Sequence, residues 1–277
     1  MAQPCAGYVD HALCARGRWR DALRVSEILL VLLAGVAAGA LNAVGGGGTF
    51  VALPALVAAG LSPVTANASS TVALVPGTVA SAWVYRRDLT PVGDTSTRAL
   101  TAVSVIGGLL GAGLLLVLPA VSFDAALPWL LAFATVVLAF GRRVSRAVSD
   151  ARGHTVGMSP RAVLLGQLLL AVYGGYFGGA VGIMMLAVWS IGLGLDTSAG
   201  NPMRVAQIAA IYLSATGLFL FASDALGAPL LLTTMLVGAV AGGVAGAHVA
   251  RRLPAWLLRS VILATAVTMT VLYFLRG

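Results

Sequence analysis

Arg204 is the residue of this chain best equipped for chemistry. It stands in an apolar stretch, three residues after Asn201 and three before Gln207. A guanidinium is planar and permanently charged, and it can hold an oxyanion through two parallel hydrogen bonds. The competing reading is an arginine that snorkels to an interface or pairs with Asp196. Asp196 itself fits a partner or cap better than a ligand, because its charge repels an anion. A second group of polar residues, Asn67, Ser69, Ser70 and Thr71, opens another apolar stretch and offers amide and hydroxyl donors.

Something must bring these residues together, and the glycines indicate what. Gly45, Gly46, Gly47 and Gly48 follow one another between two apolar segments. Clustered glycines disfavour helix, so the run should break a membrane helix at depth. Broken backbone is tolerated there only where protein buries it or where it lines a polar cavity. A weaker cluster, Gly178-Gly179 and Gly182, lies downstream. Each break precedes a short segment and then a long one, with Asn67 or Asn201-Pro202 near the start of the long one. Asparagine before proline reads as a helix cap followed by the first helical position. Helix starts carry unpaired N–H groups and partial positive charge, which suit anions. The expected site therefore comprises Arg204, Asn201, Asn67, Ser69, Ser70, Thr71, Gln207, Asn42, Gly46, Gly47, Gly48 and Gly182. Two helix starts would converge near mid-membrane. Asn42, Tyr176, Trp83 and Trp189 fit a pathway lining or core packing and interface anchoring equally well.

Composition sets the environment. Of 277 residues 59% are hydrophobic and 9% charged, with mean hydropathy +0.97. Such a chain is a multi-pass membrane protein, placed here in a cell inner membrane. The net charge of +8 comes entirely from arginines, most of them in tails and loops. There they set orientation and do not point to nucleic acid. Cys5 and Cys14 share the N-terminal tail and read as a disulfide or as two free thiols. That tail also resembles a signal peptide, but the apolar chain continues past the cleavage-like Ala38-Gly39-Ala40, which favours a retained first span.

Apolar runs lie near Glu27–Val44, Thr49–Gly60, Val64–Tyr85, Ala99–Leu118 and Leu127–Gly141. A second set lies near Arg161–Phe177, Gly182–Gly194, Ser198–Ala222, Pro229–Ala247 and Pro254–Leu275. The expected organisation is a tail over 1–26, a repeat over 27–141, a polar linker over 142–160 and a second repeat over 161–276. The order long, short, long, long, long occurs twice. Gly45 aligns without gaps on Gly179, Gly48 on Gly182, Gly60 on Gly194 and Asn67 on Asn201, which puts Ser70 opposite Arg204. Arg86, Arg87 and Arg98 mark the loop after the third segment, whereas in the second half Asp224 occupies the equivalent loop and Arg251 and Arg252 the next. Basic loops face the cytoplasm, so equivalent loops fall on opposite sides. The expected fold is an all-α polytopic membrane protein of two homologous, inverted repeats, each with a short intramembrane half-helix. The Arg-rich tail argues against inversion by the same rule, which leaves a parallel four-plus-four arrangement open. Gly107-Gly108, Gly111, Gly113, Gly238, Gly242-Gly243 and Gly246 read as helix-packing positions.

Gly35, Gly39, Asn42, Gly45 to Gly48, Pro54, Gly60, Pro63 and Ala66 resemble the first-half signature of the TauE/SafE sulfite exporter family. Gly174-Gly175, Gly178-Gly179, Gly182, Gly194 and Asn201 form a degenerate second copy, with Ala180-Val181-Gly182 opposite Gly46-Gly47-Gly48. The resemblance implies transport of a small sulfur-containing anion such as sulfite, thiosulfate or an organosulfonate.

No sequence pattern supplies a nucleophile with its base, a metal set or a phosphate-binding loop, so no enzyme activity and no cofactor are expected. The partners expected are the anion and the bilayer. A potential negative inside drives an anion outward by ~2.3 kcal/mol per elementary charge per 100 mV. Export needs no coupling ion. Uptake, or a channel for another small anion such as thiosulfate, is the alternative.

Overall fold

The computed structural model describes residues 25–42, 47–152, 157–195, 197–249 and 255–276. The described chain is helical apart from turns and one isolated bridge between Val92 and Thr95. In chain order the helices are α1 (Val25–Asn42), α2 (Thr49–Ala58), α3 (Pro63–Val84), α4 (Thr97–Val117), α5 (Ala120–Arg152), α6 (Pro160–Tyr176), α7 (Val181–Leu193), α8 (Thr197–Ala222), α9 (Pro229–Val249) and α10 (Ala255–Arg276). Short 3₁₀ turns at Tyr85–Arg87 and Asp224–Leu226 follow α3 and α8. Helix α5 continues to Arg152, through much of the stretch expected as polar linker.

Four of these helices are long and apolar enough to cross a bilayer: α1, α4, the first part of α5, and α8 from Ala199. Helix α3 is equally long but less apolar, and it is buried from Ala66 to Leu74, with Asn67, Ser69, Ser70 and Thr71 inside. It packs against α2, α8 and α9. Its polar side chains face protein and avoid the cost of hydrocarbon exposure. Large apolar residues such as Leu109, Leu110, Phe133, Leu165, Leu169 and Val237 point outward, where lipid is the matching solvent.

Helix directions follow from their contacts. Ser69 Oγ donates to the Ala225 carbonyl at 3.1 Å, just beyond the end of α8. Thr90, just beyond α3, donates to the Ala199 carbonyl at 2.9 Å, at the start of α8. Helices α3 and α8 therefore run antiparallel. So do α5 and α10, where Trp129 meets Phe274 at 5.3 Å between ring centroids and Thr135 meets Thr270 at 3.1 Å.

Two further crossings are parallel and tight. A Cβ on Gly107 of α4 would sit 3.0 Å from the Leu168 oxygen and 3.1 Å from the Val172 nitrogen of α6. A Cβ on Gly238 of α9 would sit 2.5 Å from the Leu32 oxygen and 3.0 Å from the Val36 nitrogen of α1. Gly111 presses on the Val172 carbonyl as Gly242 presses on that of Val36, and Gly175 presses on the Gly108 carbonyl as Gly39 presses on that of Ala239. Both crossings need glycine because backbone meets backbone. Gly243 is buried against α3 and α1, where a Cβ would make only ordinary contacts with Gly77 and Gly39 at 3.7 and 3.9 Å, and Gly113 has nothing nearer than 3.9 Å, so no close packing is found there. The side-chain surroundings of Gly246 lie outside the described residues.

Candidate site at the second helix break

The first break is clasped to the middle of α3. Gly48 caps α2, and a Cβ there would lie 2.6 Å from the Ala38 carbonyl and 3.2 Å from Leu74 Cδ1. Asn42 closes the same corner by donating to Thr78 Oγ1 at 2.7 Å, and Thr78 donates on to the Leu74 carbonyl at 2.8 Å. Gly47 is buried here too, and Gly46 lies outside the described residues.

The second break is built differently. Gly178 has φ +82° and Ala180 φ +59°. Ala180 caps α7 in the left-handed region, a conformation that costs an ordinary residue about 1–2 kcal/mol. Backbone strain of this kind concentrates where geometry serves function. Beyond it α7 starts at Val181, and its first N–H groups have no partner within the helix. A Cβ on Gly182 would lie 3.0 Å from Arg204 Nη1, 3.2 Å from Arg204 Cδ and 2.7 Å from Ile208 Cδ1. Glycine at 182 is what lets the Arg204 side chain lie against the start of α7. Arg204 is only 1% exposed. A guanidinium and a helix N-terminus have the same sign, so a negative group between them is held from both sides.

The two breaks meet through Tyr212. Its hydroxyl donates to the Gly178 carbonyl at 3.3 Å and lies 3.5 Å from Thr49 Oγ1, at the first residue of α2. Convergence therefore involves the starts of α2 and α7. The expected pairing of the α3 and α8 starts is overturned: those helices are antiparallel, and their starts lie at opposite ends of the bundle. The caps also lie elsewhere. Ser62 caps α3 by accepting from the Thr65 nitrogen at 3.3 Å, with Pro63 as first helical residue, and this leaves Asn67 in the second turn. Helix α8 begins at Thr197, so Asn201 and Pro202 lie inside it. In both cases the helix starts earlier than the asparagine suggests. Asp196 lies outside the described residues.

The hydroxyl group of α3 is turned inward. Ser70 and Thr71 donate to the Asn67 carbonyl at 2.8 and 3.0 Å, and Ser69 is bound to Ala225. Short hydroxyl side chains in helices satisfy nearby carbonyls in this way. Asn67 donates to the Tyr176 carbonyl at 2.9 Å, which joins α3 to the end of α6. Trp189 is core, at 2% exposed, whereas Trp83 is 66% exposed with Arg86 4.3 Å over its ring, as an interface anchor is.

A buried chain of polar side chains runs beside Arg204. Gln167 Nε2 donates to Ser104 Oγ at 2.8 Å. Ser104 donates to Gln207 Oε1 at 2.9 Å, and Gln207 Nε2 donates to Thr101 Oγ1 at 3.1 Å. Gln167 belongs to α6, Ser104 and Thr101 to α4, and Gln207 to α8, one turn from Arg204. Sequence reasoning found Gln207 but not Gln167, Ser104 or Tyr212. An amide in the middle of an apolar span was the available signal for Gln167. No group of His, Cys, Asp or Glu among the described residues is placed to hold a metal.

The family model of the sulfite exporter TauE/SafE matches residues 31–273. The chain belongs to this transporter family and is a multi-pass membrane protein. No match is found among curated proteins or solved structures.

Proposed function

We propose that this chain exports a small sulfur oxyanion, such as sulfite or an organosulfonate, across a cell inner membrane. The buried Arg204 side chain against Gly182 at the start of α7 is the observation that carries the reading. It joins a bidentate donor to a helix N-terminus in a low-dielectric interior, where charge-assisted hydrogen bonds are strong. Asn201 and Gln207, one turn to either side of Arg204, complete the α8 face of the site.

Location supports the direction. Arg204 sits about 10 Å along α8 from its start, whereas Tyr212 lies near that helix's middle, about 22 Å along. The start of α8 adjoins the loop with Arg86 and Arg87, through Thr90 and Ala199. Basic loops face the cytoplasm, so the site loads from inside. The membrane potential then favours exit.

Release outside requires the site to change sides, and an inverted pair of five-helix repeats supplies the means. What supports inversion is that counterpart helices α3 and α8, and α5 and α10, pair antiparallel, while the α4–α6 crossing repeats contact by contact in α9–α1. Helices α2 and α7, at about 15 and 20 Å, are too short for a ~30 Å hydrocarbon core and act as the half-helices.

The test is anion binding to purified protein and flux in proteoliposomes. Sulfite or a sulfonate should bind, move down its gradient without added Na⁺ or protons, and respond to an imposed potential. Flux that requires a cation gradient would instead indicate an uptake carrier.

A further inference from the structure

The chain Gln167–Ser104–Gln207–Thr101 ends on an acceptor, because Gln207 Nε2 also lies 3.2 Å from Met203 Sδ, which can only accept, and this turns Gln207 Oε1 toward Ser104. Ser104 has one proton and gives it to Gln207 Oε1, so Gln167 must turn its N–H toward Ser104. Gln167 Oε1 is thereby left facing away. It has no donor among the described residues, although the side chain is 1% exposed. A buried amide oxygen without a donor is costly, and it marks a place where a donor belongs. Its position is informative: Gln167 Nε2 lies 3.9 Å from Met185 Sδ, so the amide sits against α7 one turn beyond Gly182. Arg204 and the start of α7 offer only donors, and Gln167, one turn further along α7, carries the unmatched acceptor.

Resting on the functional reading above, we infer that Gln167 selects the protonation state of the ligand. The site takes a singly charged oxyanion that retains one hydroxyl, such as hydrogensulfite. The bare oxygens face Arg204 and α7, and the hydroxyl donates to Gln167 Oε1. A dianion would set an unprotonated oxygen against the amide oxygen, and an alkyl sulfonate would leave that oxygen unmatched. Sites built around a substrate hydroxyl reject analogues that lack it, because the buried polar partner goes unsatisfied. The titratable groups on α4, α6, α7 and α8 are Arg98, Arg161, Arg204, Tyr173, Tyr176 and Tyr212. No carboxylate or imidazole lies on these four helices, so the group whose charge the experiment changes there is the ligand.

The experiment measures binding of sulfite and of methanesulfonate to the purified full chain from mildly acidic to mildly alkaline pH. Methanesulfonate is a monoanion without a hydroxyl. Wild-type protein should prefer sulfite by at least about tenfold at acid pH, and the preference should vanish as the ligand loses its proton. Gln167→Met should lower sulfite affinity about tenfold and leave methanesulfonate within about twofold, and the retained sulfonate binding also reports folding. Arg204→Ala should weaken both ligands. Equal loss of both ligands in Gln167→Met, or a wild-type preference that does not follow ligand protonation, would overturn the inference while leaving the anion site standing. Failure of wild-type protein to bind either anion would overturn the functional reading and this inference with it. If Gln167→Met does not fold, the wild-type pH profile decides alone.

Discussion

The two helix breaks share a sequence pattern and are built differently. The first is rich in glycine and closed on itself: Gly48 touches the α1 backbone, Asn42 holds Thr78, and Ser70 hydrogen-bonds its own helix. The second has fewer glycines, holds Ala180 in the left-handed region and presents Arg204 to the start of α7. Glycine content is therefore a poor guide to which break holds a charged side chain. Gly48 in the first break admits close backbone contact, whereas Gly182 in the second makes room for a charged side chain.

The sharpest way to break this comparison is to exchange the roles of Ser70 and Arg204. Arg204→Ala should lose about 1.5–3 kcal/mol of anion binding, roughly ten- to a hundredfold, while Ser70→Ala stays within about threefold. Arg204→Lys should fall between wild type and Arg204→Ala because it restores charge without the bidentate fork. Isothermal titration on detergent-stable protein reads all three. Equal losses at positions 70 and 204 would make the breaks equivalent.

The paired glycines give the next largest contrast. Gly182→Ala should push Arg204 aside and lower affinity about tenfold, as expected for one charge-assisted hydrogen bond, with little change in melting temperature. Gly48→Ala meets a backbone carbonyl instead and should lower the melting temperature by several degrees, an overpacking cost of about 1–3 kcal/mol. Thermal shift and titration on the same samples separate the two effects.

Tyr212→Phe tests whether the breaks communicate. Losing the hydroxyl that joins Thr49 and Gly178 should cost about 1 kcal/mol of stability. It should also slow flux more than it weakens binding, since the contact links the two breaks. Equal effects on flux and binding would reduce Tyr212 to packing. The smallest effect is expected at Gly113, where alanine should leave stability within about 0.5 kcal/mol of wild type, against a clear loss for Gly111→Ala. Inversion itself is checked by cysteine accessibility, with labels at Arg87 and Asp224 expected on opposite faces.

Much of the fold was legible in the chain itself. Hydropathy and glycine spacing are local properties, so the spans, the short segments and the two breaks could be read off the chain, as could the lone Arg204 in an apolar run, which the structure buries against Gly182. Local pattern also misled at Asn67 and Asn201: each looks like a cap, but Ser62-Pro63 caps α3 earlier, and α8 starts at Thr197. The hydroxyls of Ser69, Ser70 and Thr71 were legible as donors, but their acceptors were not, because Ala225 lies far along the chain.

Sequence by itself determined that this protein lives in a membrane, that it is helical, and where its helices must break, because each of these follows from the solvation of neighbouring residues. Tertiary structure decided which helix ends meet, which arginine lies against which glycine, and that Gln167, Ser104 and Gln207 form one hydrogen-bonded line. Those outcomes depend on contacts between residues many positions apart, and only the packing of helices at backbone distance selects among them.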